Sequence, residues 1–221
     1  MSSGPSATAS PRPMRADAVR TRAALLKAAA DVFADRGADG SIAEIAARAG
    51  IGKGTVFRHF PTKEDLLAAI IGEEMEELAE VGRGQAEHAD PDAALLQFMS
   101  AGVDLYATRS RAFVQALGTM PDRQHPETRV RWEQLIGAAE VLTRRAQREG
   151  SLRPDLNGED VMLLICGVYY TAAPLLDSDP SAWRRYLQLT FDGMRAREAG
   201  PLRPVGSEGE DPSGPPSPPW P

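Results

Sequence analysis

The sequence of 221 residues contains one cysteine, Cys166, and only three histidines. A single cysteine cannot close a disulfide within the chain or build a cysteine-based zinc site, which argues against a small stapled secreted scaffold. His59, His88 and His125 are scattered and predict no metal cluster. The chain is nevertheless long enough to bury a substantial hydrophobic core without such help.

Long apolar stretches are also missing. The longest uncharged run, residues 161–176, has 16 residues and is interrupted by Gly167 and Pro174, whereas a membrane-spanning helix needs about 20. The amino-terminal segment carries prolines among serines and alanines and lacks the apolar centre of a signal peptide. We therefore expect a chain that neither crosses a membrane nor is exported.

Catalytic motifs are absent as well. The sequence has no His-Glu-x-x-His, no glycine-rich phosphate loop and no Gly-x-Ser-x-Gly, and Cys166 lies inside the apolar run, where a buried small side chain is expected. A dense acidic run is typical of a solvated helix face rather than an acid–base pair: Glu73, Glu74, Glu76, Glu77 and Glu80. We predict no catalytic residue, cofactor or metal. A small helical enzyme is the alternative, and it would need turnover that survives removal of residues 1–60.

Charge is divided unevenly along the chain. Residues 1–63 contain ten Lys or Arg and five Asp or Glu, a net charge of +5, whereas the whole chain has a net charge of -6. All three lysines of the protein lie in this first part. The pattern indicates a basic amino-terminal module joined to an acidic body, so the negative total does not exclude an anionic partner.

Between its ends the sequence is rich in Ala, Leu, Glu and Arg with apolar residues three and four positions apart, which predicts an all-α fold without strands. The predicted helices cover residues 16–35, 42–49, 53–60, 62–80, 91–108, 110–119, 127–149, 158–176 and 181–196. Residues 1–14 are predicted to be a flexible arm. Residues 198–221 contain eight prolines and are predicted to be a disordered tail, either a solvated linker or a ligand for an SH3-like partner.

Two short predicted helices are joined by a turn at Gly50. Ser41 and Glu44 form a capping box that starts the first helix, Ala46 is small enough to allow a close crossing, and Val56 points back into the core. This spacing is typical of a helix-turn-helix. The outward residues of the second helix are small, polar, cationic or aromatic and suit a DNA major groove: Lys53, Gly54, Thr55, Phe57, Arg58 and His59.

The stretch from Phe33 to Leu67 contains Ile-Ala-Glu-Ile-Ala-Ala-Arg-Ala-Gly-Ile-Gly-Lys-Gly-Thr-Val-Phe-Arg-His-Phe-Pro-Thr-Lys-Glu-Asp-Leu-Leu and resembles the DNA-binding domain of the tetracycline-repressor (TetR) family of bacterial transcription factors. The resemblance covers about residues 16–75. It implies a cytoplasmic repressor that binds a palindromic DNA operator as a homodimer and is released by a small-molecule effector. The implied domains are a DNA-binding domain at 15–61 and a ligand-binding and dimerisation domain at 62–197, with 62–80 as the linking helix.

Carried over residue by residue, the resemblance implies that His59 and Lys63 contact phosphates. The full set of residues that it places at the DNA is Ser41, Gly52, Lys53, Gly54, Thr55, Phe57, Arg58, His59 and Lys63. Two positions depart from the family, which often has Ser or Thr at Gly52 and Tyr at Phe57. A helix cap and a phenolic phosphate contact are therefore missing. These departures leave open the alternative of a small-molecule sensor or carrier with little DNA affinity.

The second half supplies candidates for an effector pocket and a dimer interface. Apolar and aromatic side chains predict a mainly hydrophobic or aromatic effector, with ordinary core packing as the alternative for each residue: Phe98, Tyr106, Phe113, Met120, Trp132, Met162, Tyr169 and Tyr170. The run 161–176 shows no charged face to water, so a second chain is expected to cover it. The predicted dimer interface consists of Val161, Leu164, Val168, Trp183, Tyr186 and Leu187.

Overall fold

The computed structural model describes residues 12–108 and 126–195 together with Gly200 and Leu202. Within these residues the chain is all-helical, and a single antiparallel bridge between Leu152 and Arg195 is the only strand-like pairing. The predicted all-α fold is confirmed. The helices are α1 Arg12–Arg36, α2 Ile42–Ala49, α3 Lys53–His59, α4 Lys63–Gln85, α5 Pro91–Ala107, α6 Pro126–Arg148, α7 Gly158–Ala172 and α8 Trp183–Gly193.

Helix α1 begins four residues before its predicted start at Ala16. Pro13 lies in its first turn, where the backbone N–H that proline lacks is not needed, so the proline does not prevent the helix. The last residues of the predicted arm 1–14 are therefore helical, while residues 1–11 lie outside the described part of the chain. Gly37 takes a φ of 60° and ends α1 as expected.

Helix α4 begins with a second capping box and is longer than predicted. The Thr62 N–H donates to the Asp65 carboxylate at 2.9 Å, and the Asp65 N–H donates to the Thr62 hydroxyl at 3.0 Å. The helix continues five residues past the predicted end at Glu80, to Gln85. Buried Leu78 and Gly82 pack its last turns against the other helices, and this long-range contact has no local sequence signal.

The helices of the second half lie where periodicity predicts them, with shifted ends. Helix α7 ends at Ala172 instead of residue 176, because Pro174 cannot donate the next helical hydrogen bond. A short 3-10 turn, Ala173–Leu175, follows. The predicted helix 110–119 lies outside the described residues, and no described helix is long and apolar enough to cross a membrane.

Two hydrophobic cores organise the molecule, and α4 belongs to both. Helices α1 to α3 enclose Phe33, Ile45 and Val56 together with Leu66 from the start of α4. The larger core of α5 to α8 includes Leu78 from further along α4. Helix α4 therefore contributes buried residues to both cores.

Candidate nucleic-acid interface and effector cavity

Helix α3 is held to its core by one side and exposed on the other. Its single fully buried residue is Val56, which packs with Ile45 and Phe33. Thr55 and His59 are half-buried, and the Thr55 hydroxyl accepts a hydrogen bond from Arg58 at 2.9 Å. Of the six residues predicted to face outward, these four are exposed to solvent: Lys53, Gly54, Phe57 and Arg58.

The turn before α3 depends on Gly50. Its φ of +68° lies in the left-handed region that side chains disfavour, and its N–H donates to Ala47 at 3.2 Å. The following Ile51 N–H donates to Ala46 at 3.0 Å, so the last carbonyls of α2 are satisfied. The backbone of this turn fixes the angle at which α3 leaves α2.

The start of α2 is capped as predicted, and its cap is charged. The Ser41 N–H donates to the Glu44 carboxylate at 3.0 Å, and the Glu44 N–H donates to the Ser41 hydroxyl at 3.2 Å. The Ser41 hydroxyl also donates to the Glu44 carboxylate at 2.8 Å. The hydrogen bonds that the carboxylate accepts from the Ser41 N–H and hydroxyl, with smaller contributions from Arg36 and Arg48, hold the pKa of Glu44 below its ordinary value. Ser41 itself is exposed at the helix amino terminus, where backbone N–H groups favour an anion.

The small residues around α3 leave its surface open. Methyl groups built on Gly52 or Gly54 would meet no atom within 4 Å, so the packing of the chain itself does not require glycine there. Gly52 caps α3 without a side-chain hydrogen bond, which confirms the missing cap. Beside these glycines, Phe57 is an aromatic side chain with 49% of its surface exposed. The exposed face of α3 therefore combines an aromatic ring with the cations Lys53 and Arg58.

Two further cations at this end of the molecule lie over aromatic rings. The Lys63 ammonium is 5.3 Å from the centre of the Phe33 ring, and the Arg22 guanidinium is 4.8 Å from the centre of the Phe60 ring. Lys63 is half-buried. Sequence reasoning did not find the Arg22 contact, because it joins α1 to the residue after α3.

A cavity of about 450 Å³, including its mouth, lies between α4, α5, α6 and α7. It brings together three of the residues predicted for the effector pocket, namely Tyr106, Trp132 and Met162. The other lining residues are Ile71, Glu74, Met75, Leu78, Leu105 and Leu135. The cavity is predominantly apolar and aromatic, as expected for a small-molecule site.

The remaining predicted pocket residues are placed elsewhere. Phe98 is buried in the larger core, and Tyr169 packs in the same core with its ring 5.6 Å from that of Tyr106. Tyr170 points away from the cavity and is 58% exposed, because successive helical residues are rotated by about 100°. Phe113 and Met120 lie outside the described residues.

One member of the acidic run was predicted wrongly. Glu74 is not on a solvated face: it is buried, with 9% of its surface exposed, and it lines the cavity. Its neighbours Glu73, Glu77 and Glu80 are exposed as expected. The available signal was its spacing, since Glu74 falls three residues after Ile71 and four before Leu78 on the same face of α4.

Tyr106 and Cys166 are neutral groups beside the cavity. The Cys166 sulfur lies 3.6 Å from the Tyr106 hydroxyl, and burial raises the pKa of the thiol. Burial also raises the pKa of Tyr106 well above its ordinary value, with contributions from Cys166 and the charge of Glu74. A thiol with a raised pKa is a poor nucleophile. Among the described residues no group of His, Cys, Asp and Glu is arranged to hold a metal.

Most of the predicted dimer residues face inward. Val161, Val168, Trp183 and Leu187 are buried in the core of the single chain, so they are not on the outer surface that a second chain would contact. Leu164 and Tyr186 are partly buried against the same core. The uncharged run 161–176 gives no signal of which face is turned outward. The large apolar side chains exposed on α7, on α8 and in the turn after α7 are Leu163, Tyr170, Leu175 and Leu189.

Both halves of the chain match models of known families. Residues 25–70 match the model described as bacterial regulatory proteins, tetR family. Residues 90–196 match the model described as SbtR-like transcriptional regulator, C-terminal domain. The two matches coincide with the two cores and together include well over half of the chain.

Individual proteins agree with these models. The chain is 36% identical over 103 residues to the HTH-type transcriptional repressor BepR of Brucella suis, a match over 45% of this chain and 49% of BepR, so it spans about half the length of that relative. The fold is similar to the TetR transcriptional regulator SCO0520 from Streptomyces coelicolor, with 29% identity, a TM-score of 0.59, and 80% of this chain and 99% of the other covered. A TetR regulatory protein from Mycobacterium vanbaalenii has 29% identity and a TM-score of 0.58, with 83% and 99% covered. The chain belongs to the TetR family of bacterial regulatory proteins.

Proposed function

We propose that this protein is a transcriptional repressor that binds a palindromic DNA operator as a homodimer and is released by a small-molecule effector. The observation that carries the proposal is the exposed face of α3, where Lys53, Phe57 and Arg58 stand beside the open position of Gly54. The similarity to BepR, which is named a transcriptional repressor, supports the same conclusion.

The proposed docking places α3 in the major groove. Lys53, Gly54, Thr55 and Phe57 lie near the base edges, and Phe57 packs on a sugar or a thymine methyl group in place of a phenolic phosphate contact. Ser41 at the start of α2 meets one phosphate through its hydroxyl and the backbone N–H groups behind it. His59 and Lys63 meet phosphates on the other side of the groove.

The homodimer is proposed to form through the outer faces of α7 and α8. Leu163 on α7 is 56% exposed, and Leu189 on α8 is 58% exposed. Tyr170, two turns after Leu163 on α7, is 58% exposed as well. An apolar surface of this kind on two antiparallel or crossing helices suits a twofold four-helix interface. A dimer also explains how short recognition helices reach useful affinity, because each reads one half-site about 34 to 36 Å from the other.

The effector is proposed to bind in the cavity between α4, α5, α6 and α7. Helix α4 lines this cavity with Ile71 and Glu74 and contributes Leu66 to the core of the DNA-binding domain. A ligand that prefers one position of α4 therefore changes the spacing of the two α3 helices and lowers operator affinity.

Selection of bound duplexes from random DNA tests this function. The enriched sequence is expected to be a palindrome, and its affinity is expected to fall steeply with salt because Lys and Arg displace counterions from phosphates. The K53A/R58A variant should lose at least tenfold in affinity, whereas R144A/R148A on α6 should not. The absence of any enriched duplex would favour the alternative of a sensor with little DNA affinity, which the uncapped Gly52 start of α3 makes conceivable.

A further inference from the structure

Arg58 on α3 differs from neighbouring arginines in the group that it contacts. Three other arginines of the DNA-binding domain each lie beside a carboxylate: Arg20 beside Asp17, Arg36 beside Glu44 and Arg48 beside Asp35. Arg58 is exposed and forms no ion pair with any residue that the structure describes. Its guanidinium instead donates to a neutral group, the Thr55 hydroxyl, at 2.9 Å. Within the described chain, therefore, no carboxylate neutralises Arg58 or occupies its remaining N–H donors.

The Thr55 contact restricts the position of the guanidinium. Thr55 and Arg58 are three positions apart, so their side chains lie on the same face of α3. Thr55 is half-buried and β-branched, which limits the positions that its hydroxyl adopts in a helix. The hydrogen bond to this hydroxyl reduces the freedom of the long arginine side chain before DNA is bound. Ordering that side chain on binding therefore costs less entropy.

The contact also brings the guanidinium toward the end of α3 that is proposed to read bases. Arg58 belongs to the last turn of α3, and Thr55 lies one turn closer to its amino terminus. In helix-turn-helix proteins, the amino-terminal residues of the recognition helix contact base edges in the major groove. Gly52 and Gly54 at this end have no side chain with which to contact a base. The guanidinium of Arg58 is therefore placed closer to the base edges than its position in the last turn implies.

Guanine is the base that suits an arginine held in this way. Its major-groove edge presents the acceptors O6 and N7, whose spacing matches the planar fork of N–H donors of a guanidinium. Adenine presents an acceptor beside a donor, and cytosine presents a donor, so neither accepts from both arms of the fork. The Thr55 hydroxyl uses only part of the donor set, so the guanidinium retains N–H groups for a bidentate contact.

We infer that Arg58 reads a guanine in each half-site of the operator through a bidentate contact with O6 and N7, and that Thr55 positions it. The inference rests on the proposed function, because it names one base of the proposed operator and the side chain that recognises it. The alternative is a phosphate contact, to which a guanidinium also donates in a bidentate manner. A phosphate contact strengthens binding to all sequences alike, whereas a guanine contact favours one base at one position.

Substitution of single base pairs in the selected palindrome tests this assignment on the full-length protein. Each base pair is replaced in turn, symmetrically in both half-sites, and affinity is measured by fluorescence anisotropy at one fixed salt concentration. For the wild type, replacement of one G·C pair per half-site by A·T is expected to lower the affinity at least about tenfold. For R58A the same replacement should lower the affinity less than about threefold, because the reading side chain is gone. R48A, at an exposed position of α2, is the matched control and should keep the wild-type discrimination.

Two variants of Thr55 test its role as a positioning residue. T55V keeps the branched shape of the side chain but removes the hydroxyl, and it should reduce the discrimination at this base pair by at least about threefold. T55S keeps the hydroxyl and should keep the discrimination. Because Thr55 acts through Arg58, the T55V/R58A double variant should discriminate as R58A alone does. Thermal melting of each variant distinguishes a change in base preference from a loss of folded protein.

Several results would overturn the inference. An equal loss of R58A affinity for all sequences would identify a phosphate contact, and retention of every base preference by R58A would show that Arg58 reads no base. Unchanged discrimination in T55V, or a greater loss in T55V/R58A than in R58A, would remove the positioning role of Thr55. In each of these cases the enriched palindrome leaves the proposed function standing. The absence of any enriched duplex for the wild type would contradict the proposed function itself, and the inference with it.

Discussion

Two glycines near the recognition helix are explained by different physical requirements. Gly50 takes a φ of +68°, a left-handed conformation that residues with a side chain rarely adopt. Gly54 lies in the first turn of α3, where glycine lowers helix stability and where a methyl group would meet no atom of the chain. Packing among the described residues therefore does not require glycine at position 54, whereas the proposed close approach of a DNA backbone would favour it.

Gly54→Ala is expected to separate stability from binding. The free energy of unfolding should rise by about 0.5 kcal/mol because alanine has the higher helix propensity, while operator affinity should fall at least tenfold. Thermal melting and fluorescence anisotropy measure the two effects. Gly137→Ala, at an exposed open position of α6, is the control and should stabilise the protein without changing DNA affinity. Unchanged affinity of Gly54→Ala would show that α3 does not face DNA as proposed.

The capping carboxylate of α2 predicts a pH dependence of stability. The pKa of Glu44 is lower in the folded chain than its ordinary value, so its contribution is present above that ordinary value and is lost as the pH falls through the folded pKa. Glu44→Gln retains the cap geometry but does not titrate. The wild type should lose more stability than the variant on acidification from about pH 6 to pH 3, measured by urea unfolding. An equal loss of unfolding free energy in the two proteins over this pH range would contradict this role of Glu44.

At the scale of elements, α4 and α6 are tied by charge next to the cavity. Glu76 on α4 pairs with Arg131 on α6 and with Arg83 on α4, and its side chain is half-buried. Arg131 directly precedes the cavity residue Trp132. We propose that this pair couples a movement of α6 to α4, which contributes Leu66 to the core of the DNA-binding domain.

A double-mutant cycle of Glu76→Gln and Arg131→Met is expected to give a coupling energy of about 0.5 to 1 kcal/mol in dilute buffer. The coupling should shrink in 1 M salt, because the pair is partly exposed and screened. The pair Arg129 and Glu133, which is 3.8 Å apart within α6 and more exposed, is the comparison and should couple more weakly. Equal coupling of the two pairs would remove the special role of the α4 to α6 contact.

The sequence predicts the helices well where local signals mark them. The capping residues Ser41 and Thr62 place the starts of α2 and α4, and Gly37 and Gly50 place the ends of α1 and α2. Local signals do not predict the end of a helix when that end depends on contacts with distant parts of the chain. The length of α4 depends on Gly82 and its neighbours meeting the second core.

The candidate sites differ in how far the sequence predicts them. The α3 face is contained in one short motif, so the outward position of Phe57 follows from local spacing. The cavity is assembled from four helices, and neither Leu105 nor Glu74 is marked by its immediate neighbours. The outward face of α7 could not be predicted, because residues 161–172 of this helix contain no charged side chain and periodicity cannot distinguish Leu163 from Leu164.

At the scale of the whole molecule, the proposed dimer depends on the apolar outer faces of α7 and α8. Leu163→Glu is expected to yield a folded monomer and to reduce operator affinity by about a hundredfold or more, because a single α3 helix contacts only one half-site. Sedimentation velocity and anisotropy measure these changes. Val141→Glu, at an exposed position of α6, is the control and should leave a dimer. A dimeric Leu163→Glu protein with normal affinity would place the interface elsewhere.

The central claim is that one dimer holds two α3 helices a fixed distance apart on one face of the duplex. A spacer series on the selected palindrome tests it most directly, with affinity measured as base pairs are inserted between the half-sites. An insertion of about five base pairs rotates the half-sites to opposite faces of the DNA and should lower the affinity to that of a single half-site. If the palindrome, the five-base-pair insertion and an isolated half-site all bind equally, the account is wrong.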